Sequence, residues 1–332
     1  MEIQLGLCLT KLFIYLPTYN RPESLRRQLR ALLPQVELFP QNVRVLICDN
    51  DSSNYKVDEL LHELPSLRNV EVRRNGGNIG GNANIALGFV FARSDEFLWI
   101  LSDNDIVAPT AVSYLISVLD PACDFYCFVN GSETVQKFSY DWNSGWQKPM
   151  NWRMGLISDA LYNMASIRDV VEEAFYFHNS SFPHLAVACA AARRKGVTRF
   201  HLLPRQRVSA NEASSLEQPT DYSLARICMP LLVPLFPTWE ARSFCRKWLW
   251  SHGIMLHLNK SRHPHLYIQS KATLRHYGGW LASLLLAGTG LMAFVAAPYL
   301  NRRAAIVQKL KLNLSSTNLE RVKRVRRLFC GK

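Results

Sequence analysis

The sequence predicts an α/β protein built on a mostly parallel sheet flanked by helices, and three observations lead there. The run Phe97-Leu98-Trp99-Ile100-Leu101 is apolar without a break, as a strand buried on both faces of a parallel sheet reads. It is one of several short apolar runs alternating with segments of helical spacing. Such alternation with short connections implies parallel strands joined by helices. Finally, the runs end in polar or acidic turns at Pro17-Thr18, Asp49 and Ser102-Asp103-Asn104-Asp105. Open α/β sheets bind ligands at such carboxyl ends.

The elements follow in order. Leu12-Phe13-Ile14-Tyr15-Leu16 is a strand stopped by Pro17. Residues 21–36 carry Leu25, Leu29, Leu32 and Leu33 at helical spacing behind Pro22, a residue suited to a first helical turn. Val43-Arg44-Val45-Leu46-Ile47-Cys48 is the second strand, and Val57, Leu60, Leu61 and Leu64 make a short helix closed by Pro65. Val70-Glu71-Val72 is a third strand, leading into a Gly/Asn-rich stretch at 75–84 and a helix over 85–92. After the strand before Asp103 comes Phe125-Tyr126-Cys127-Phe128-Val129 as another. Residues 133–153 read as an irregular loop or small subsheet, 154–158 as a further strand, and 167–177 and 185–194 as helices. Near Ser215 the character changes to aromatic, basic and helical. The expected domains are therefore 10–215 and a helical region over 216–332.

Composition narrows the class. The 332 residues are 48% hydrophobic and 20% charged, as in an apolar globular protein. Eight cysteines include no CxxC pair, and several lie in apolar runs. They read as buried thiols of a cytoplasmic protein. The first lysine is Lys11, after Glu2, so the start lacks signal-peptide form. Residues 302–332 hold ten basic residues against Glu320 alone, most of the whole-chain net charge of +13. Ahead of them, residues 280–300 contain no charge, a length near that of a bilayer span. An apolar segment followed by a basic tail favours an anionic membrane surface as partner. No zinc-finger spacing or single-strand-binding pattern supports nucleic acid. The expected placement is cytoplasmic, peripheral or monotopic at the inner face of the membrane. A buried helical hairpin is the competing account of 280–300.

Asp103 and Asp105 flank one small residue. Two carboxylates so placed can hold a hard divalent cation, which in turn grips a diphosphate. The same triplet also suits an acidic turn capping the next helix, with Pro109 near its start. The Gly76-Gly77-Asn78-Ile79-Gly80-Gly81 stretch is not a GxGxxG and follows the third strand, which argues against a dinucleotide-binding oxidoreductase.

Four segments stand in chain order: Leu16-Pro17-Thr18-Tyr19-Asn20-Arg21, Cys48-Asp49-Asn50-Asp51-Ser52-Ser53, the stretch Asn75 through Asn84, and Ser102-Asp103-Asn104-Asp105. Together they resemble the family 2 glycosyltransferases, whose fold is the Rossmann-like GT-A. The layout is also similar to bacterial enzymes that extend lipid-linked O-antigen or capsule oligosaccharides, abequosyltransferase-like members included. Gly155-Leu156-Ile157-Ser158 and Pro183-His184 look like later elements of that group.

The resemblance implies a nucleotide-diphosphate sugar donor, a saccharide acceptor carried on a lipid, and a divalent metal, Mg or Mn. Pro17, Thr18, Asn20 and Arg21 would line the nucleotide pocket, and Asp49 would contact base or ribose. Asn75, Asn78, Gly80 and Asn84 would shape the loop under the nucleotide. Asp103 would face ribose and metal, and Asp105 metal and diphosphate. The acid the family often carries soon after Asp51 is missing from Ser52-Ser53-Asn54, as is the frequent Glu-Asp pair on the acceptor side. His184 falls near where that pair would stand, and Asp159 is the other candidate general base. A sugar-1-phosphate nucleotidyltransferase and a non-catalytic membrane-associated nucleotide-binding protein remain as alternatives.

Overall fold

A computed structural model describes residues 11–62, 67–144, 154–210 and 227–312, the stretch 295–312 by its backbone alone. Eight strands form one sheet in the order β3-β2-β1-β4-β7-β5-β8-β6. They are β1 (Lys11–Thr18), β2 (Val43–Asp49), β3 (Val70–Arg74), β4 (Glu96–Ile100), β5 (Phe125–Val129), β6 (Gln136–Asp141), β7 (Ala160–Asn163) and β8 (Val197–Pro204). β7 lies antiparallel between β4 and β5, and β6 antiparallel on β8. The other pairings are parallel, so the sheet is mixed, flanked by helices, and mostly parallel as expected.

Helix α1 (Pro22–Glu37) follows β1 with Pro22 in its first turn. It buries Leu25, Leu29, Leu32 and Val36 against a core shared with Ile14, Val45 and Trp99. Each such aliphatic side chain contributes on the order of 1.5–3 kcal/mol when fully removed from water. Two buried glutamines on α1 have a directional task. Gln28 Oε1 accepts from Val107 N, and Gln35 receives Val112 N while donating to Ala108 O. The chain just beyond Asp105 is thereby tied to α1. Helices α2 (Val57–Leu61), α3 (Gly81–Phe91) and α4 (Ala111–Val118) complete this half.

Farther along, the structure departs from the sequence reading. The strand expected over 154–158 is displaced. Ile157–Asp159 is a 3-10 turn and the strand is Ala160–Asn163, because Ser158 turns away from the ladder to bond with β4 and the turn after it. Ser158 O accepts from Trp99 Nε1 and Ser158 Oγ from Ser102 N. The helix expected over 167–177 breaks into short turns, 164–167, 168–170 and 173–176. Helix α5 (Pro183–Lys195) matches its expectation, and β8 was not anticipated.

The expected boundary at Ser215 lies outside the described residues. By packing, the chain divides into two compact units, Met1–Phe244 and Cys245–Lys332. Helix α6 is Thr238–Leu258, and α7 is Pro264–Leu312. α7 is two helical segments, because Gly279 (φ 69°, ψ −161°) interrupts it. That conformation is open essentially to glycine alone.

Candidate functional site

The parallel strands bring their carboxyl ends to one edge of the sheet, and β7, running the other way, begins at that edge. Strand order reverses between β1, which leads to β2 on one side, and β4 on the other. A crevice at such a reversal is the usual binding place of an open α/β sheet. Its two sides are joined across the gap. Thr18 Oγ1 donates to Asp103 Oδ2 at 2.9 Å, and Arg21 Nη1 donates to Asp103 Oδ1 at 3.1 Å. Asp103 is only 3% exposed. Burial pushes its carboxyl up from the ordinary value, opposed by the charge of Arg21 and the Thr18 hydroxyl.

Asp105 is different. It is partly exposed, its amide donates to Ser102 O, and no side-chain hydrogen bond holds its carboxylate among the described residues. The turn is fixed from beneath by Ser158 Oγ on Ser102 N. One carboxylate is thus committed to the fold and its neighbour is left for something else.

On the other flank, Asp49 is buried at the end of β2 and accepts from Ser52 N at 3.0 Å and Ser52 Oγ at 2.6 Å. Asn20 N donates to Ser52 Oγ, and Asn20 Oδ1 accepts from Ser53 N. This joins the turns after β1 and β2. Pro17 pairs with Cys48 in that ladder. The Arg74 guanidinium lies 3.7 Å from Asp49 and 2.7 Å from Asp51. Tyr55 OH lies 2.9 Å from Thr18 Oγ1. Because Thr18 gives its own proton to Asp103, the phenol is the donor in that contact. Burial raises the Tyr55 hydroxyl above its usual range, and Asp49 and Asp103 add to the rise.

The Gly/Asn loop is organised by Asn50. Asn50 Oδ1 accepts from Asn75 Nδ2 and Ile79 N, and Asn50 Nδ2 donates to Asn78 Oδ1. Asn78 Oδ1 also accepts from Gly80 N. Asn84 Nδ2 donates to Cys48 O, and Asn84 Oδ1 accepts from Asn75 Nδ2. Gly80 turns the loop into α3 at φ 87°, ψ 148°, again a conformation reserved for glycine. All the nucleotide-side candidates therefore fall into one connected set beside the β1–β4 crevice.

The two candidate bases are more enclosed. Asp159 is buried, with Oδ1 accepting from Arg205 Nε at 2.9 Å, and Arg205 follows β8 at the same sheet edge. His184, in the first turn of α5, is fully buried. Burial lowers its imidazole to about 4, despite the backbone of Gly155 and Met154 facing the ring. Neither ring nitrogen has a hydrogen bond of good geometry, so it is a neutral, sealed imidazole near pH 7. The residues that sequence reading missed are Asn50, Tyr55, Arg74 and Arg205. Asn50 stood in view inside Asp49-Asn50-Asp51. Arg205 gave no signal, since the strand before it was itself unrecognised.

Among the described residues, no three His, Cys, Asp or Glu side chains converge as a closed metal cage. The donor set fits a hard cation whose shell is completed from outside the protein. Mg²⁺ in particular takes one or two carboxylates plus substrate phosphates and water, and the uncommitted Asp105 beside Asp103 supplies that much.

Comparison with known proteins agrees with this geometry. The sequence profile described as Glycosyl transferase family 2 matches residues 13–182, just over half of the chain. Abequosyltransferase RfbV of Salmonella typhimurium (strain LT2) is 30% identical over 113 residues, and the matched stretch spans 33% of each protein. Among solved structures, S. aureus TarS 1-349 superposes with a TM-score of 0.56 at 12% identity, covering 89% of this chain and 92% of that one. Its complex with UDP-GlcNAc gives 0.54 at 12% identity, with the same coverage. These likenesses establish a common fold.

Proposed function

From the premise that the chain belongs to glycosyl transferase family 2, and is a glycosyltransferase of GT-A fold, we propose that it moves a sugar from a nucleotide-diphosphate donor onto a saccharide acceptor. The acceptor is lipid-linked, the product a cell-surface polysaccharide of the O-antigen kind, and the place of work the cytoplasmic face of the membrane. The partial likeness to an abequosyltransferase supports the surface-polysaccharide class of product, and the uncharged 280–300 segment with its basic sequel supports the location.

One observation carries the donor site. Asp103 is locked to Thr18 and Arg21 across the β1–β4 crevice while Asp105 beside it stays uncommitted. In this reading the nucleotide lies over the Asn/Gly loop, between Asp49 and Asp103. Pro17, Thr18, Asn20 and Arg21 line the pocket. Asp105, with Asp103, holds Mg or Mn. When bound, such an ion acts as a Lewis acid that neutralises charge on the leaving diphosphate. The acceptor oxygen forms its bond to the anomeric carbon as the carbon–diphosphate bond breaks on the opposite face, so configuration inverts. The hydroxyl proton passes to a base.

Asp159 is the better base of the two candidates. It closes the turn that leads into β7 at the sheet's carboxyl edge, with the Arg205 guanidinium at 2.9 Å, whereas burial lowers the His184 imidazole to about 4. Removing a general base costs about 10²–10⁴-fold in rate. Asp159→Asn is expected to fall in that range and His184→Gln to fall by much less; the reverse order assigns the base to His184.

The decisive experiment is Asp105→Ala. Transfer in the presence of Mn²⁺ should drop about 10²-fold or more, with the unfolding midpoint unchanged because the residue is not in the core. Undiminished turnover, or full activity in excess chelator, overturns the metal-assisted reading.

A further inference from the structure

Among the described residues, the second unit presents an apolar face that its own packing leaves exposed. The break at Gly279 folds α7 back along α6. Gly278 reaches Cys245, where an added Cβ would sit 3.1 Å from the Cys245 Cβ. Farther along, Gly253 meets Thr289 and Gly290 meets the His257 ring, and Leu286 O receives His257 Nε2 at 3.0 Å. Tyr267 OH, on the segment before the break, contacts His257 Nδ1. Three helical stretches thus lie side by side: α6, 264–278 and 280 onward.

The third stretch is buried along one stripe at Ala282, Leu286, Thr289 and Ala293. Its opposite face is Trp280 (74% exposed), Leu284, Leu291, Met292 and Phe294 (80% exposed). No charged residue occurs anywhere in 280–294. Its two hydroxyls bond back to the chain's own carbonyls: Ser283 Oγ donates to Gly279 O and Thr289 Oγ1 to Leu285 O. Polar groups satisfied by the helix's own carbonyls suit a medium that supplies no hydrogen bonds. An all-round apolar helix is either buried or in lipid, and among the described residues this one is buried on one side only.

Charge decides both the occupant and the orientation. Lys260, Arg262, Lys271 and Arg275 lie on the turn and the helical stretch packed beside it. Beyond Phe294 follow ten basic residues and one acid. If 280–294 stood across a bilayer with its partners attached, those four cations would enter hydrocarbon, where charge is costly. If the bundle lies flat, the apolar face enters the acyl layer while the cations stay at headgroup level, where anionic lipid attracts them. We propose that 280–294 is the lipid-facing side of a three-helix bundle lying in the plane of one anionic leaflet, without crossing it. The inference deepens the membrane part of the reading above and does not depend on the donor site.

The test uses the full-length protein and phosphatidylglycerol-rich or phosphatidylcholine-only vesicles. Sedimentation with the anionic vesicles should exceed that with neutral ones and weaken with salt. Leu284→Glu with Leu291→Glu, both exposed positions, should lower vesicle partition about tenfold or more, with nucleotide-sugar hydrolysis in free solution unchanged. Met292→Glu alone, a milder change, should lower it in the same direction. With vesicle-bound protein, Arg275→Cys should react with a membrane-impermeant maleimide while Leu284→Cys is protected. Protection of both sites would establish a crossing orientation and overturn the proposal. So would absence of vesicle binding, or a concentration-dependent dimer that the double substitution abolishes, which would give the face to a second copy. Vesicle binding undiminished in the double variant would overturn it as well, whereas an unsubstituted protein that binds vesicles but hydrolyses no nucleotide sugar would count against the donor-site reading instead.

Discussion

Asp103 is held from two directions and His184 from none, and the contrast sets what each side chain can do. A carboxylate that accepts from Thr18 and Arg21 keeps one geometry whatever binds beside it. His184 has its imidazole lowered to about 4 by burial. In the unfolded chain it titrates near 6.5. Between those values the unfolded state binds the extra proton, so stability rises with pH through the window and is lost as pH falls through it. The slope is about 1.4 kcal/mol per pH unit, and the full loss is on the order of 3 kcal/mol by pH 4. Urea titrations at a series of pH values should find that His184→Gln flattens this part of the acid limb. An unchanged slope would place the titration elsewhere. At this scale Thr18, Asp49, Asp103 and Asp105 were legible in the sequence because each ends an apolar run in a polar turn. The Asp159–Arg205 pair was not, since its members stand far apart in sequence and meet only through the pairing of β5 with β7 and β8.

Among the elements, the Asn/Gly loop shows how backbone shape is used. Gly80 adopts φ 87°, ψ 148° just where α3 begins, and Asn50 and Asn78 hold the residues around it. Gly80→Ala forces a side chain into that region, at about 1–3 kcal/mol. The expected outcome is a raised KM for the donor with a smaller change in kcat, measured by steady-state kinetics. An equal fall of kcat and kcat/KM would move the loop's role from binding to the chemical step. The strands β1, β4 and β5 were readable because they hold continuous apolar runs, and β2 because only Arg44 interrupts its own. β8 was not: Val197-Thr198-Arg199-Phe200-His201 interleaves polar and apolar residues, exposure alternates only over its first four residues, and two of its polar side chains are buried, Thr198 and His201. β7 has only four residues, too short for periodicity to register.

For the molecule as a whole, family membership removes the nucleotidyltransferase and scaffold alternatives, and donor binding should be visible as global stability. A ligand that binds only the folded state at a hundredfold excess over its Kd stabilises by about 2.7 kcal/mol. A thermal-melt screen of UDP-, GDP-, CDP- and dTDP-sugars with Mn²⁺ should give a raised Tm for one nucleotide, and chelator should remove the shift. A shift indifferent to chelator would mean that Asp105 does not work through a cation. The mixed sheet has a further consequence, for the order in which the protein is made. β1 to β4 adjoin one another and need nothing downstream. β5 leaves the ribosome before β7, yet it reaches β4 only through β7. Until residue 163 emerges, edge strand β4, apolar over Phe97-Leu98-Trp99-Ile100, waits unpaired on one side. Such an edge is the kind that recruits a neighbouring nascent chain, so the interval between synthesis of β4 and of β7 is when this protein is most exposed to aggregation and most in need of a chaperone.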